Sequence, residues 1–130
     1  MARKKRVRSD RYAGQPEQWV SARKDRCELC DARGSYTSLH HIVYQQHVRD
    51  AGGDVWDPRN SLTVCDGPFS CHARHHSRMR PIRLDALPDS AYEFAAELFG
   101  AGAAYEYLRR FYFGSDPRLD QLLDDWEMAA

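Results

Sequence analysis

The feature that most constrains this chain is the position of its cysteines and histidines. All four cysteines and all six histidines of the 130 residues fall between Cys27 and His76. Thiolates and imidazoles are the ligands with which proteins hold zinc and related ions. A segment this rich in both ligand types predicts two metal sites, one structural and one catalytic.

The cysteines form two pairs. Cys27 and Cys30 are separated by two residues, and Cys65 and Cys71 by five, with a turn-forming Gly-Pro sequence in the wider gap. Two such turns can supply four thiolates to one tetrahedral zinc. Residues 27–83 are too few for a large apolar core, so a metal would stabilise them. Reduced cysteines without metal and disulfides are the alternatives, but a reducing cytoplasm favours metal over disulfides.

Five of the histidines form two tight groups. His40 and His41 are neighbours in a predicted strand, so their side chains should point to opposite faces. His72 and His76 are four residues apart on a helix predicted to begin at Cys71, so they share a face. Cys71 is rotated by about 100° from His72 on such a helix. The pattern predicts that a strand histidine joins the helix histidines as a ligand and that the other stays free as a base.

The remaining pattern predicts short elements around these residues. It predicts a helix at 16–24 anchored by Trp19, strands at 36–44 and 61–64, a long loop at 45–58 and a helix from Cys71 to about Met79. Three C-terminal helices are expected: one from a capping box at Ser90–Glu93 to Gly100, one at 103–113, and one that begins after an N-cap at Asp116. The chain is therefore expected to be α+β.

The net charge of zero conceals a strong polarity. Residues 1–26 carry nine basic and three acidic side chains, whereas residues 84–130 carry three and ten. A basic arm beside a metal-binding core favours a polyanionic partner, which the acidic segment would repel; an arm that is merely solvated is the alternative. The sequence has no apolar run of membrane-spanning length and no apolar segment behind its basic start, so it predicts a cytoplasmic protein.

Three motifs, taken in order, resemble the HNH endonucleases of the ββα-metal type. They are Leu39-His40-His41-Ile42, then Asn60-Ser61-Leu62-Thr63-Val64-Cys65, then Cys71-His72-Ala73-Arg74-His75-His76. The knuckle Cys27-Glu28-Leu29-Cys30 is similar to that of the zinc-containing branch. The resemblance covers about residues 27–80. It implies a small zinc-stabilised, treble-clef-like ββα-metal core at 27–83, with a basic arm and short helix at 1–26 and a helical extension at 84–130.

The resemblance also implies an activity, the metal-dependent hydrolysis of phosphodiester bonds in DNA. His41 would be the general base, and Asn60 would brace the loop that orients it. One catalytic divalent ion (Mg²⁺, Mn²⁺, Ni²⁺, Co²⁺ or Zn²⁺) would be held by His40, His72 and His76, and a structural Zn²⁺ by Cys27, Cys30, Cys65 and Cys71. His75 competes with His76 for the place of third ligand. The side chains expected to contact phosphates are Arg74, Arg78 and Arg80.

The sequence also predicts a partner and leaves two alternative functions open. The chain resembles small phage-encoded members of the family that act beside the packaging terminase, which implies a terminase large subunit as partner and the host cytoplasm as location. A zinc-stabilised module that binds nucleic acid without cleaving it is the main alternative. An adaptor that works through the acidic helical tail is another. The histidine set separates the first function from these two, because a binding module needs the cysteines alone.

Overall fold

The computed structural model describes residues 14–32 and 37–129. Its elements, in chain order, are α1 (Glu17–Val20), β1 (Thr37–His41), α2 (Gln45–Asp50), β2 (Ser61–Cys65), α3 (Cys71–His76), α4 (Asp89–Phe99), α5 (Ala101–Phe111) and α6 (Pro117–Ala129). Short 3₁₀ turns lie at Pro58–Asn60 and Leu84–Ala86. The fold is α+β, as predicted. Of the predicted basic arm, residues 1–13 lie outside the described residues.

The two strands form an antiparallel sheet in which Leu39 lies opposite Thr63. The first strand ends at His41 instead of at the predicted residue 44, because the Asn60 side chain bonds to the backbone that follows. Its side-chain oxygen accepts a hydrogen bond from the Val43 backbone N–H at 2.7 Å, and its amide donates to the Val43 carbonyl at 2.8 Å. A side chain therefore satisfies the backbone groups that a longer strand would have paired with its neighbour.

Three further predictions before the C-terminal helices are wrong. The helix predicted at 16–24 ends at Val20. The predicted loop at 45–58 contains helix α2, whose residue Val48 is fully buried and which ends before Gly52 at a φ of +78°. Helix α3 ends at His76 instead of near Met79. Arg78 adopts a φ of +63°, a left-handed conformation that terminates helices.

The C-terminal helices follow the predicted order with one error. The predicted capping box is wrong, because α4 begins at Asp89 and the Ser90 hydroxyl donates to the Arg59 carbonyl at 3.1 Å. Gly100, at a φ of +84°, separates α4 from α5 as predicted. The Asp116 carboxylate accepts from the Arg118 backbone N–H at 2.8 Å, which confirms the predicted cap at the start of α6.

One continuous apolar core joins the sheet to the C-terminal helices. Its members include Ile42, Val43, Leu62, Val64, Leu84, Tyr92, Ala95, Leu108, Tyr112 and Leu119. Each fully buried aliphatic side chain contributes about 1.5–3 kcal/mol to the free energy of unfolding. The C-terminal helices therefore pack on the strands that carry the histidines. No helix among the described residues is long and apolar enough to cross a membrane.

Candidate metal centres

The four cysteine sulfurs converge on one point. All four Sγ atoms lie within 4.8 Å of one another, and the Sγ atoms of Cys30 and Cys65 are 3.8 Å apart. Zinc–sulfur bonds of about 2.3 Å at tetrahedral angles require neighbouring sulfurs to be separated by about 3.8 Å. The four residues are free thiols in the structure. The cluster could therefore hold a structural metal such as zinc.

The backbone brings the two cysteine pairs together. The Leu29 backbone N–H points at the Cys27 sulfur at 3.4 Å, and the Cys71 N–H at the Cys65 sulfur at 3.2 Å. Glu28, inside the first pair, exchanges two hydrogen bonds with the backbone of Thr63 in β2, at 2.8 and 2.9 Å. The first turn is thus attached to the strand that ends at the second cysteine pair.

The thiols resist ionising together in the absence of a cation. Burial raises the pKa of the Cys71 thiol well above its ordinary value, and the neighbouring Cys65 and Cys30 act in the same direction. Burial also raises the pKa of Cys65. At Cys27 burial opposes ionisation, but backbone hydrogen bonds from Cys30, Cys65 and Leu29 outweigh it and lower the pKa. A bound dication would stabilise all four thiolates, which is how metal binding couples to such a fold.

The second cluster consists of histidines. Ring nitrogens of His40 on β1 and of His72 and His76 on α3 all lie within 4.8 Å of one another. The Nε2 atoms of His72 and His76 are 3.0 Å apart. Two imidazoles on one ion, with bonds of 2.0–2.1 Å, place their nitrogens about 2.9–3.3 Å apart. The predicted grouping of one strand histidine with two helix histidines is present, and the cluster could hold an ion.

Asp66 orients one of these rings. Its Oδ1 lies 3.4 Å from Nδ1 of His72. A carboxylate on one ring nitrogen keeps the proton there and leaves the lone pair on the other, an arrangement that accompanies most metal-binding histidines. The lone pair of His72 is therefore on Nε2, the atom that faces His76.

Tyr112, which follows α5, orients a second ring. Its hydroxyl donates a hydrogen bond to the Ile42 carbonyl and lies 2.9 Å from Nε2 of His40. Since the hydroxyl proton is used, Nε2–H of His40 donates to the hydroxyl oxygen, and the lone pair remains on Nδ1. Burial, followed by the neighbouring histidines, holds the pKa of His40 well below its usual range, so the ring is neutral and able to bind a cation.

Sequence reasoning missed this role of Tyr112. The residue belonged to an apolar stripe at helical spacing, which predicts only packing. Its distance of 72 positions from His40 left no local signal of contact.

His75 is buried and bonds to other groups of the protein. Its Nδ1 accepts a hydrogen bond from the Ile82 backbone N–H at 2.9 Å, and its Nε2 lies 2.8 Å from the Tyr44 hydroxyl. Both ring nitrogens therefore have partners, and burial lowers the pKa of His75 to about 4. Of the two alternatives for the third ligand, the geometry favours His76.

His41 meets a different environment from His40. Its ring stacks on Trp19 of α1, with centroids 4.1 Å apart and planes 19° apart, and Trp56 lies 5.8 Å away. Nε2 is enclosed and forms no hydrogen bond with the described residues. Burial lowers the pKa of His41 to about 4, although the Val55 backbone acts in the opposite direction. The imidazole is therefore neutral at pH 7.

Asn60 holds the segment that follows His41. The side chain is fully buried, and both its amide groups bond to the Val43 backbone. Its own carbonyl accepts from the Ile42 N–H at 2.9 Å. These three bonds fix the backbone immediately after His41, which is consistent with the bracing role that the resemblance implies.

The three predicted phosphate-binding arginines do not lie together. Arg78 borders a cleft of about 320 Å³ that also contains His76. Arg74 and Arg80 border a separate cavity of about 230 Å³ beside Cys30 and Cys71. Of the three arginines, only Arg78 therefore borders the cleft beside the histidine cluster.

Removal of the Tyr112 hydroxyl is expected to weaken metal binding at the histidine cluster. Tyr112→Phe keeps the ring but frees the proton position of His40, so the affinity for an added divalent ion should fall about 10- to 100-fold. Calorimetric titration with Ni²⁺, of protein first loaded with one equivalent of Zn²⁺, measures this affinity. Tyr92→Phe is the matched control, because it also removes a buried hydroxyl, one that donates to the Leu84 carbonyl. Equal affinities for the two variants would contradict the orienting role.

Comparison with known proteins does not assign the chain to a family or a function. No protein-family profile matches the chain, and no curated protein or solved structure is significantly similar to it. The chemistry of the two clusters is therefore the basis on which a function can be proposed.

Proposed function

We propose that this protein is a metal-dependent DNA endonuclease of the HNH type. The observation that carries the proposal is the pairing, at the end of one strand, of a neutral unligated histidine with a three-histidine cluster. His41 is the last residue of β1, and His40 beside it belongs to the cluster. In this proposal His40 holds the bound cation and the neighbouring His41 acts as the proton acceptor.

Each part of the site has a task in phosphodiester hydrolysis. His41 takes a proton from the attacking water, a role that requires the neutral ring. Asn60 keeps the backbone beside His41 in place, while Asp66 and Tyr112 hold the ligand rings in the required tautomers. A divalent ion, when bound, supplies stabilisation of the negative charge that develops on the phosphate oxygens.

The histidine cluster supports an enzyme over a module that only binds. The cysteine cluster by itself accounts for a stable scaffold and makes no use of His40, His72 or His76. A structural histidine in this protein looks like His75, with both ring nitrogens bonded to protein groups. The cluster histidines instead leave ring nitrogens facing one another.

Incubation with supercoiled plasmid tests the proposal. Purified protein is given Mg²⁺, Mn²⁺, Ni²⁺, Co²⁺ or Zn²⁺ in turn, and nicked and linear products are separated on a gel. Cleavage with at least one ion is expected, and His72→Ala should abolish it. His47→Ala is the matched control, because His47 lies outside the cluster and bonds to the Tyr107 hydroxyl.

Two results would contradict the proposal. Plasmid that stays intact with every ion would do so, and retention of DNA binding in that case would favour the non-cleaving module. Equal cleavage by wild type and His72→Ala would also exclude the site and point to a contaminating nuclease. Association with a terminase large subunit stays a prediction.

A further inference from the structure

A cationic cleft opens beside the histidine cluster, and half of its lining comes from the end of α5 and the two residues that follow it. The cleft of about 320 Å³ is bordered by His76 and Arg78 on one side and by Arg109, Arg110 and Phe113 on the other. Arg109 and Arg110 form the last turn of α5. They belong to the acidic segment 84–130, which the charge pattern predicts to repel a polyanion.

The arginines of the cleft have no carboxylate partner among the described residues. Within residues 14–32 and 37–129, no carboxylate oxygen lies within 4.0 Å of the side-chain nitrogens of Arg78, Arg109 or Arg110. The third arginine of the segment, Arg118, is instead bound by Asp116 and Asp89, each at 2.9 Å. Three guanidinium groups around one concavity, with no carboxylate partner in the described part of the chain, have the chemistry that binds phosphate groups.

Phe113 is an exposed aromatic ring on a rigid backbone. Its N–H donates to the Ile82 carbonyl at 2.9 Å, and its carbonyl accepts from the Leu84 N–H at 2.7 Å. The Arg83 guanidinium lies 5.6 Å from the ring centroid. The residue is nevertheless 59% exposed. A fixed, exposed ring beside phosphate-binding groups is the arrangement on which an unpaired nucleobase stacks.

We propose that this cleft binds an unpaired polynucleotide strand as it enters the histidine cluster. Arg78, Arg109 and Arg110 contact successive phosphates, and Phe113 stacks on a base. The inference rests on the proposed function and deepens it, since it names single-stranded or locally unpaired DNA as the substrate. A base in a closed duplex is stacked on both faces and cannot use Phe113.

The charge distribution favours this cleft over its larger neighbour. A cavity of about 990 Å³ shares Arg109 and Arg110 but also contains Asp50 and Glu106. Those carboxylates would repel a phosphate backbone. The strand is therefore assigned to the smaller cleft, where all of the charged side chains other than the histidines are arginines.

The first test measures how much the stacking residue Phe113 contributes to the affinity for single-stranded DNA. Binding of the full zinc-containing chain to fluorescein-labelled oligo(dT) of about 12 nucleotides, and to a duplex of equal length, is followed by fluorescence anisotropy without an added catalytic ion. Phe113→Ala should lose about 5- to 100-fold in affinity for the single strand and little for the duplex. Phe69→Ala is the matched control, because Phe69 is 77% exposed and lies outside the cleft.

The second test measures the phosphate contacts of the arginines through the salt dependence of DNA binding. The double variant Arg109→Ala/Arg110→Ala should reduce the slope of log affinity against log salt for the single strand by about 1.4, which corresponds to two lost phosphate contacts. The control Arg49→Ala removes an exposed charge outside the cleft and should leave the slope unchanged.

The outcomes separate this inference from the nuclease proposal. Equal affinity for single strand and duplex, or equal losses for Phe113→Ala and Phe69→Ala, would overturn the strand site even if plasmid is cut. A protein that never cuts plasmid but shows the expected dependence on Phe113, Arg109 and Arg110 would retain the strand site and lose the nuclease function.

Discussion

Cys71→Ser is expected to remove one zinc per chain and to unfold the sheet region of the protein. Structural zinc in small domains contributes about 10–16 kcal/mol, whereas a whole domain is stable by only about 5–15 kcal/mol. The Cys71 sulfur belongs to the four-sulfur cluster, and the residue opens α3. Loss of one ligand therefore releases both the turn at Cys27 and the helix that carries the histidines.

Elemental analysis of the purified protein and thermal melting followed by circular dichroism measure these effects. The matched control is His72→Ala, the next residue on the same helix, whose ring nitrogen faces the other cluster. His72→Ala should keep its zinc and its melting temperature to within a few degrees. A Cys71→Ser protein with a full complement of zinc and an unchanged melting temperature would refute the structural zinc site.

His41→Ala is expected to lower the rate of plasmid cleavage by about 10²- to 10⁴-fold, the usual contribution of a positioned general base. The variant removes the proton acceptor but none of the nitrogens of the histidine cluster. Affinity for the divalent ion should therefore stay close to that of the wild type. Single-turnover nicking rates, measured at saturating metal, report the chemical step separately from binding.

The control for this variant is Gln46→Ala. Gln46 belongs to the exposed face of α2, so its loss should leave the rate within the range of ordinary surface changes. Because His41 stacks on Trp19, His41→Ala also opens a space, and its melting curve must show that the protein is folded. A folded His41→Ala protein that cuts at the wild-type rate would exclude His41 as the base.

Much of the candidate site could be predicted from local periodicity. A strand alternates its side chains, so His40 and His41 were expected to meet different neighbours, and they do. Residues four apart on a helix share a face, so the meeting of His72 and His76 was expected as well. Both arguments use backbone geometry that depends only on the type of element, and neither requires knowledge of the rest of the fold.

Predictions failed where a group far away in the sequence forms the hydrogen bond that was expected from a neighbouring residue. The capping box at Ser90 is wrong because the Arg59 carbonyl, 31 positions away, takes the hydroxyl. Strand β1 ends early because the Asn60 side chain takes the backbone of Val43. Helix α2 was assigned to a loop because six residues with one buried apolar side chain carry almost no periodic signal.

The sequence by itself determined which side chains can bind a metal, that the cysteines and five of the histidines lie in groups, and that the fold is α+β, because these follow from residue type and local spacing. Only the tertiary structure decided how the site is completed. It brought Tyr112 to His40, bonded His75 to Ile82 and Tyr44, and set Arg109 and Arg110 beside His76. The physical reason is that one apolar core packs the C-terminal helices on the sheet. Contacts between segments so far apart in the chain depend on how whole elements pack, which no local pattern encodes.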